Sequence, residues 1–222
     1  MLTYDVVVPA WNAEATIAHT LESILAQTIP PDRVIVIDDG STDGTVELAR
    51  SVGVEVISQR NAGPGAATTR GLALATATVV AMLEADDLWL PQKMERQLAV
   101  LSKAKGPTAV TTLQREFRHG HIDDGRGEIR SGLNRSSLVL PLALARQVGP
   151  VIDPEGGRGD MVDWLRRVRA TGIVIREIDE VLVLRRIIAG SFSYGRDPLR
   201  DRGYIAVAYE ALRARRRTSR KP

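Results

Sequence analysis

Runs of continuously apolar residues alternate with segments of helical periodicity along the first hundred residues of the chain. The apolar runs predict strands at residues 4–10, 33–40, 54–59 and 78–84. Apolar residues three and four positions apart predict the helices between and after them, at residues 14–28, 43–52, 64–77 and 91–104. Strands that are apolar along their whole length are typical of a parallel sheet with helices on both faces. The pattern therefore predicts an α/β fold with a mostly parallel central sheet.

The second half of the chain predicts a small antiparallel addition to that sheet. Residues 108–117 and 135–144 have strand patterns, and a polar, glycine-rich segment connects them. Two further apolar runs, residues 172–178 and 180–187, predict a hairpin that turns at Asp179. A helix is predicted over residues 160–171, and its apolar face consists of Met161, Trp164, Leu165 and Val168. We expect one domain over residues 1–210, followed by a tail at residues 211–222.

The composition removes several classes of site. The sequence contains no cysteine, which excludes a disulfide framework, a thiolate metal site and a catalytic thiol. The first residues lack the basic start and the long apolar run of a signal peptide, and every apolar run is shorter than a membrane span. We therefore expect a cytoplasmic protein.

The charge is concentrated in the tail. Residues 211–222 hold six Lys or Arg and no acid, which leaves a net charge of −3 on the other 210 residues. A solvated helix end is the simplest interpretation of such a block. The alternative is peripheral contact with acidic lipid head groups or with an anionic partner. Nucleic acid is not expected, because no basic stripe with interleaved aromatic residues accompanies the tail.

Three predicted strands run directly into polar or acidic residues. The segments are Pro9-Ala10-Trp11-Asn12, Asp38-Asp39-Gly40 and Glu84-Ala85-Asp86-Asp87. In a parallel sheet these ends share one edge, which is where α/β sheets bind ligands. Glu84 and Asp86 lie on the same side of an extended strand end, which suits Mg²⁺ or Mn²⁺ shared with a diphosphate. An acidic turn that caps the next helix is the alternative.

Two other segments have simpler alternatives. Asp38 and Asp39, with the turn that follows them, could hold a base or ribose, or form an ordinary strand-to-helix turn. His119 and His121 could form a metal pair, but a flexible loop is the favoured interpretation because no oriented third ligand accompanies them.

Several blocks together resemble one family. The blocks "VVVPAWNAEATIAHTLESILAQTIPPDRVIVIDDGSTDGT", "NAGPGAATTRGLALA" and "AMLEADDLWLP" are similar to the nucleotide-binding half of family 2 glycosyltransferases with the GT-A fold. The likeness covers residues 4–105 and continues more weakly through "RSSLVLPLALARQVGPVID", "GRGDMVDWLRR" and "VLVLRRIIAGSFS". It implies a Rossmann-like GT-A domain with a nucleotide-sugar-binding half at residues 1–105 and an acceptor-binding half at residues 106–190.

The resemblance also implies roles for individual residues. Asp39 would hydrogen-bond the base with Asp38 beside it, and Asp160 would be the catalytic base. Glu84-Ala85-Asp86 corresponds to the Asp-x-Asp motif, in which Asp86 would ligate Mn²⁺ or Mg²⁺. The implied nucleotide-binding residues are Pro9, Ala10, Asn12, Glu14, Asp38, Asp39, Gly63, Arg70, Glu84 and Ala85. We expect Asp39, Asp86 and Asp160 to converge around one pocket.

The sequence departs from the family pattern at several of these positions. Glu84 replaces the usual first Asp of the motif. Thr68 and Thr69 stand where the family usually has Arg-Asn, and Arg70 is the nearest cation that could compensate. Gly159 replaces the Glu that usually precedes the base, and Ile187 falls where many members have a His.

The expected activity is transfer of a sugar, with inversion, from a nucleoside-diphosphate sugar to an acceptor hydroxyl. UDP is expected from the family likeness alone, and the acceptor could be a glycan, a lipid, a peptide or a metabolite. A pseudoenzyme that binds nucleotide without transfer is an alternative because of the departures at Thr68, Thr69 and Ile187. A sugar nucleotidyltransferase is a weaker one, because the N-terminal segment lacks a glycine-rich basic loop. A peripheral membrane scaffold would depend on the tail alone.

Overall fold

Strands and helices alternate through the first half of the protein. The computed structural model describes residues 2–155, 157–191, 194–195 and 197–209. The first elements are β1 (Tyr4–Ala10), α1 (Ile17–Leu25), β2 (Arg33–Asp38), α2 (Thr45–Ser51), β3 (Glu55–Ser58), α3 (Pro64–Leu74), β4 (Val79–Met82), β5 (Leu88–Trp89) and α4 (Lys93–Ser102). They confirm the strands and helices that periodicity predicts for this half, apart from the short strand β5.

The second half contributes mainly strands. Its elements are β6 (Thr108–Arg118), β7 (Ile129–Ser131), β8 (Val139–Pro141), α5 (Leu142–Val148), α6 (Asp160–Ala170) and β9 (Val174–Ile187). Residues 202–209 are also helical. The buried face of α6 is the predicted one, consisting of Met161, Trp164, Leu165 and Val168.

All nine of these strands belong to one sheet. Its order is β3-β2-β1-β4-β8-β6-β9-β5, and β7 pairs with β6. Strands β1 to β4 are mutually parallel, whereas β8 is antiparallel to both of its neighbours. The α/β prediction of a parallel core with an antiparallel addition is therefore confirmed.

Alternating residues of the central strands build one core on each face of the sheet. Val6 and Val8 of β1 pack with α1 and α4, whereas Val7 packs on the opposite face with α3, α5 and α6. The β1 strand is buried along its whole length, which explains its continuously apolar sequence. This packing fixes the carboxyl ends of β1, β2 and β4 at one edge.

Two predictions for the second half were wrong. Residues 135–144 contain the short strand β8, but the chain then enters α5 at Leu142. Leu142, Ala145 and Val148 are buried three residues apart, which is a helical spacing that a strand assignment overlooks.

The predicted hairpin at Asp179 does not exist. Residues 174–187 form the single strand β9, which runs parallel to β6. The register passes from Thr112 opposite Ile178 to Leu113 opposite Val181, so Asp179 and Glu180 form an irregularity within the strand. A polar interruption thus marks a bulge and not a reversal of the chain.

No helix in the described ranges is long and apolar enough to cross a membrane. The basic tail at residues 211–222 lies outside the described residues.

Candidate active site

The loops that follow β1 and β2 are tied together by the predicted nucleotide-binding residues. Asn12 adopts a left-handed conformation, with φ of 46°, directly after β1. Its side-chain oxygen accepts a hydrogen bond from the amide of Thr42 at 2.9 Å. The Glu14 carboxylate accepts one from the amide of Gly44 at 2.8 Å, and Asp38 accepts one from Ser41 at 3.0 Å. These side chains therefore shape the edge at which Pro9 and Ala10 end β1.

Asp39 organises the loop between β3 and α3. Its buried carboxylate accepts hydrogen bonds from the Gln59 side chain at 2.7 Å and from the amides of Ala62 at 3.0 Å and Gly63 at 2.8 Å. Gly63 has a φ of 98°, which explains glycine at this position. A carboxylate has about four acceptor sites, so capacity for one further N–H donor remains.

The amino end of α3 already has an anionic partner. The Asp153 carboxylate accepts hydrogen bonds from the amides of Gly65 at 2.8 Å and Ala66 at 3.0 Å. Burial raises the pKa of Asp153, and these amides partly offset that rise. A Cβ on Gly63 would lie 2.6 Å from an Asp153 oxygen, so the Asp39 loop and Asp153 are in close contact.

A buried guanidinium joins two of the predicted acids. Arg135 is only 2% exposed and donates from Nη1 to Glu84 and from Nη2 to Asp160. Asp160 is the first residue of α6, and Glu84 follows β4. The structure thus places the predicted base and the first acid of the Asp-x-Asp-like motif on the same cation.

The motif is strongly acidic and poorly solvated. Desolvation raises the pKa of Glu84, although Arg135 opposes the rise and part of the carboxylate stays exposed. Desolvation likewise raises the pKa of Asp86, against the opposing charges of Arg186 and Arg185. Carboxylates this close together favour a cation, because their like charges oppose one another at low dielectric.

Asp87 anchors the motif to its neighbours. Its buried carboxylate accepts hydrogen bonds from Ser136 Oγ at 2.5 Å and from the Arg186 amide at 2.9 Å. Burial raises its pKa well above the ordinary value. Arg186 also donates from Nε to the Asp86 carbonyl at 2.7 Å, so β9 fixes the backbone from which Asp86 projects.

The donor set suits a divalent cation that is shared with a substrate. Among the residues that the structure describes, no group of three or more His, Asp or Glu could hold an ion alone. This finding also gives no support to a metal site at His119 and His121. Mg²⁺ commonly binds through one or two carboxylates, with water and substrate phosphate completing its shell. Asp86 fits that arrangement. The described residues do not form a metal site made of protein ligands alone.

The sequence model of the family described as Glycosyl transferase family 2 matches residues 5–137. The chain belongs to this family.

Curated relatives agree with this assignment. A β-1,3-glucosyltransferase, WfaP of Escherichia coli, named as acting with UDP-Glc on α-D-GlcNAc-diphosphoundecaprenol, is 27% identical over 203 residues, which cover 85% of this chain and 79% of that protein. An uncharacterised glycosyltransferase of Nostoc sp. is 35% identical over 43% of this chain. That match spans only 32% of the Nostoc protein, and two other relatives are covered to 28% and 38% of their length.

Solved structures with the GT-A fold superpose on the chain. S. aureus TarS 1–349 in complex with UDP-GlcNAc matches with a TM-score of 0.76 and 19% identity, over 95% of this chain and 67% of that TarS fragment. Glucosyl-3-phosphoglycerate synthase from Mycobacterium tuberculosis, in complex with Mn²⁺, UDP and phosphoglyceric acid, matches with a TM-score of 0.65 and 22% identity, over 94% and 78%. The protein therefore has the GT-A fold.

The threonines that depart from the family pattern, and the nearby Arg70, make hydrogen bonds within the protein. Thr69 Oγ donates to the Val151 carbonyl at 3.1 Å and accepts from the Val151 amide at 2.9 Å. Thr68 is buried and donates to the Pro64 carbonyl at 2.7 Å. Arg70 donates to the Ser58 carbonyl at 3.1 Å, so its guanidinium lies at the end of β3. These contacts secure α3 and β3.

Sequence reasoning missed the cations beside these acids. Arg135 and Arg186 contact the acids, yet neither was assigned a role, and Asp153 was overlooked as well. The available signal was an Arg that directly precedes the buried run "SSLVL". A cation at the start of a buried segment requires a partner, since unpaired buried charge is costly.

Proposed function

We propose that the protein transfers a sugar from a UDP-sugar to an acceptor hydroxyl with inversion at the anomeric carbon. The observation that carries this proposal is the Glu84–Arg135–Asp160 contact beside Asp86, at the edge where family members bind the donor. This contact places Asp160, the proposed base, next to Glu84 and Asp86, which would face a diphosphate.

The nucleotide would bind between Asp39, with the β3–α3 loop that it holds, and the loop after β1 that contains Asn12 and Glu14. One acceptor site left on Asp39 could take the N–H of a base. Asp86 would hold Mn²⁺ or Mg²⁺, which when bound supplies positive charge to the departing diphosphate.

Asp160 would take the proton of the acceptor hydroxyl. The acceptor oxygen then bonds to the anomeric carbon as the bond from that carbon to the UDP oxygen breaks, and UDP leaves with its electron pair. Attack opposite the leaving group inverts the configuration. Arg135 would position the Asp160 carboxylate for this transfer through its second guanidinium nitrogen.

Donor identity can be tested with a panel of nucleotide sugars read by mass spectrometry, with and without Mn²⁺. The names of the relatives suggest UDP-Glc and UDP-GlcNAc as first donors, and a diphospholipid-linked saccharide as a first acceptor. Glycan, peptide and small-metabolite acceptors complete the panel. The cytoplasmic location stays a prediction, which cell fractionation would test.

Asp160→Asn and Asp86→Asn separate the two proposed roles. We expect Asp160→Asn to bind UDP normally by calorimetry and to lose transfer by roughly 10²–10⁴-fold, the usual contribution of a general base. Asp86→Asn should lose the Mn²⁺-dependent part of UDP binding. Asp179→Asn, an exposed acid on β9, is the matched control. Full transfer by the Asp160 variant would refute the assignment of the base.

A nucleotide-binding pseudoenzyme is the second candidate. The internal hydrogen bonds of Thr68 and Thr69, which replace the Arg-Asn usual in the family, favour it. Tight UDP binding without turnover across the complete panel would support this candidate over the transferase.

A further inference from the structure

A cavity of about 220 Å³ is lined by residues of three strands of the second half and of the segment after β9. Its charged lining residues are Glu116 of β6, Arg130 of β7 and Arg185 of β9, and Ile187 and Tyr194 also face it. The cavity is far larger than a water molecule requires and smaller than the roughly 300 Å³ at which pockets for whole drug-sized ligands begin. It therefore fits one group of a larger molecule.

Two guanidinium groups share one carboxylate in this cavity. Glu116 Oε1 accepts a hydrogen bond from Arg185 Nη1 at 2.9 Å and lies 3.4 Å from Arg130 Nε. Arg130 also pairs with Glu128 at 2.7 Å, but both side chains of that pair are more than half exposed, so water weakens it. The described lining residues therefore carry one more positive charge than negative charge.

Arg185 keeps most of its hydrogen-bonding capacity for a ligand. A guanidinium has five N–H donors. Within the described part of the chain, the Arg185 side chain uses one of them, toward Glu116. The side chain is 30% exposed, so the other donors are accessible. A planar guanidinium binds the paired oxygens of a carboxylate or phosphate through two parallel hydrogen bonds, which favours an anionic ligand over a neutral one.

The sheet places this cavity across the acidic motif from the predicted nucleotide-binding loops. Those loops follow β1 and β2, which lie on one side of β4, whereas β6 and β9 lie on the other. Arg186, the neighbour of Arg185, donates to the Asp86 carbonyl at 2.7 Å. The strand that carries Arg185 is thus in direct contact with the motif, on the side away from the nucleotide.

The segment after β9 connects the cavity to the proposed base. Arg158 is buried and donates to the carbonyls of Tyr194 and Gly195 at 3.2 and 3.0 Å. Two residues later, Asp160 begins α6. Tyr194 and Gly195 line the cavity, so one of its walls is fixed to the loop that precedes the base.

We propose that this cavity binds a phosphate or carboxylate group of the sugar acceptor, with Arg185 as the main contact and Arg130 as the second cation. The inference rests on the proposed function, because it names the class of acceptor for the same site. A neutral acceptor would leave the excess positive charge and the free donors of Arg185 without a partner. The donor diphosphate or a free phosphate ion could supply the same chemistry, and the experiment separates these sources.

Calorimetry on the whole chain in metal-free buffer, with and without UDP, tests the cavity. The probes are glucose 6-phosphate, glucuronate and glucose, which share a sugar ring and differ in charge, together with inorganic phosphate. We expect the two charged sugars to bind at least roughly tenfold more tightly than glucose, because they add charge-assisted hydrogen bonds. Their binding should be unchanged by UDP and tighter than that of inorganic phosphate.

Four variants make the test specific. Arg185→Gln should weaken binding of glucose 6-phosphate by roughly tenfold or more and leave UDP binding unchanged. Arg185→Lys should restore only part of that loss, because it keeps the charge without the planar fork. Glu116→Gln should tighten binding, since it removes the negative charge of the cavity, and misfolding cannot produce a gain. Arg176→Gln, at an exposed arginine of β9, is the matched control and should bind normally.

Four results would overturn the proposal. Equal binding of glucose and the charged sugars, or unchanged binding by Arg185→Gln, would remove the anion site. Displacement of the charged sugars by UDP would assign Arg185 to the donor diphosphate. Inorganic phosphate that binds as tightly as glucose 6-phosphate would show a site for a free ion. Binding of charged sugars that depends on Arg185, without transfer from any UDP-sugar, would refute the proposed function while it supports the anion site.

Discussion

Arg135 neutralises two carboxylates from distant parts of the sequence. Its guanidinium contacts Glu84 and Asp160 while it is almost wholly shielded from water. Arg135→Met should lower the free energy of unfolding by about 3 kcal/mol, because the largely buried Asp160 and the partly exposed Glu84 both lose their counter-charge. Chemical denaturation measures this change.

A second substitution makes that prediction specific. Adding Glu84→Gln to Arg135→Met should restore about 1–2 kcal/mol, since one of the two unpaired charges is then removed. Arg135→Lys keeps the charge but lacks the planar fork that reaches both acids, so it should rescue stability only in part. Unfolding free energies equal to that of the unaltered protein in all three variants would show that the ion pairs contribute nothing to folding.

Lys93 is a fully buried amine. Its Nζ lies 3.8 Å from the centre of the Trp89 ring, and within the described part of the chain it has no acidic partner within 4.0 Å. The ring face would favour the ammonium, but desolvation is the larger effect and lowers the pKa of Lys93 well below the ordinary value. Lys93→Met should therefore stabilise the fold by about 1–2 kcal/mol at neutral pH.

The pH dependence has a definite sign. A base with a lowered pKa binds fewer protons folded than unfolded, so the free energy of unfolding rises with pH up to the ordinary lysine pKa of 10.5. Thermal melts of Lys93→Met should lose that slope between neutral pH and alkaline pH. Lys105→Met, at an exposed lysine, should keep it. Lower stability of the Lys93 variant with an unchanged slope would mean that the amine is charged and satisfied.

The sequence allowed the acidic residues of the candidate site to be predicted, but not the basic residues that pair with them. Asp39, Glu84 and Asp86 could be assigned because strand ends are local features, and parallel strands bring such ends to one edge. Arg135 is 51 residues from Glu84 along the chain, and no local pattern indicates that contact. The roles of Asp39, Asp86 and Asp160 stay predictions until the variants are measured.

Among the elements, α3 depends on close approach to β1. A Cβ on Gly71 would overlap Val7 Cγ1, so the helix can pack here only with glycine. Alanine gains about 1 kcal/mol over glycine in helix propensity, but overpacking of a core costs about 1–3 kcal/mol. Gly71→Ala should therefore lower the melting temperature.

Two variants check the packing origin of that effect. Gly106→Ala faces open space and should be neutral. In the Val7→Ala background, Gly71→Ala should be less harmful, because the overlapping methyl groups are gone. An equal cost in both backgrounds would assign the effect to the backbone and not to the contact.

The β9 strand shows what periodicity leaves undecided. Its sequence contains two apolar runs separated by Asp179 and Glu180, a pattern shared by a hairpin and by a bulged strand. Pairing with β6 over residues 108–118 decides between them, and that partner is distant in sequence. The parallel half was predictable because each of its helices and strands has a local signature.

At the scale of the whole molecule, one sheet joins the two halves of the chain. β4 of the first half pairs with β8 of the second, and Val110, Val139 and Val183 pack in the same core as Val6. We therefore predict a single cooperative unfolding transition, seen at the same denaturant concentration by circular dichroism and by tryptophan fluorescence. Residues 1–105 expressed alone should lack that transition, because the β4 edge and its core would face water. Two separate transitions would show that the halves are independent domains.

The position of Asp153 has a consequence for any anion that approaches the amino end of α3. Helix amino ends often bind phosphate through free amides and a favourable dipole. Here the first amides of α3 already contact a carboxylate from the same chain. A bare polyphosphate would meet repulsion from Asp153 at that helix, so a phosphate whose charge is already balanced by a cation would approach α3 at a lower electrostatic cost.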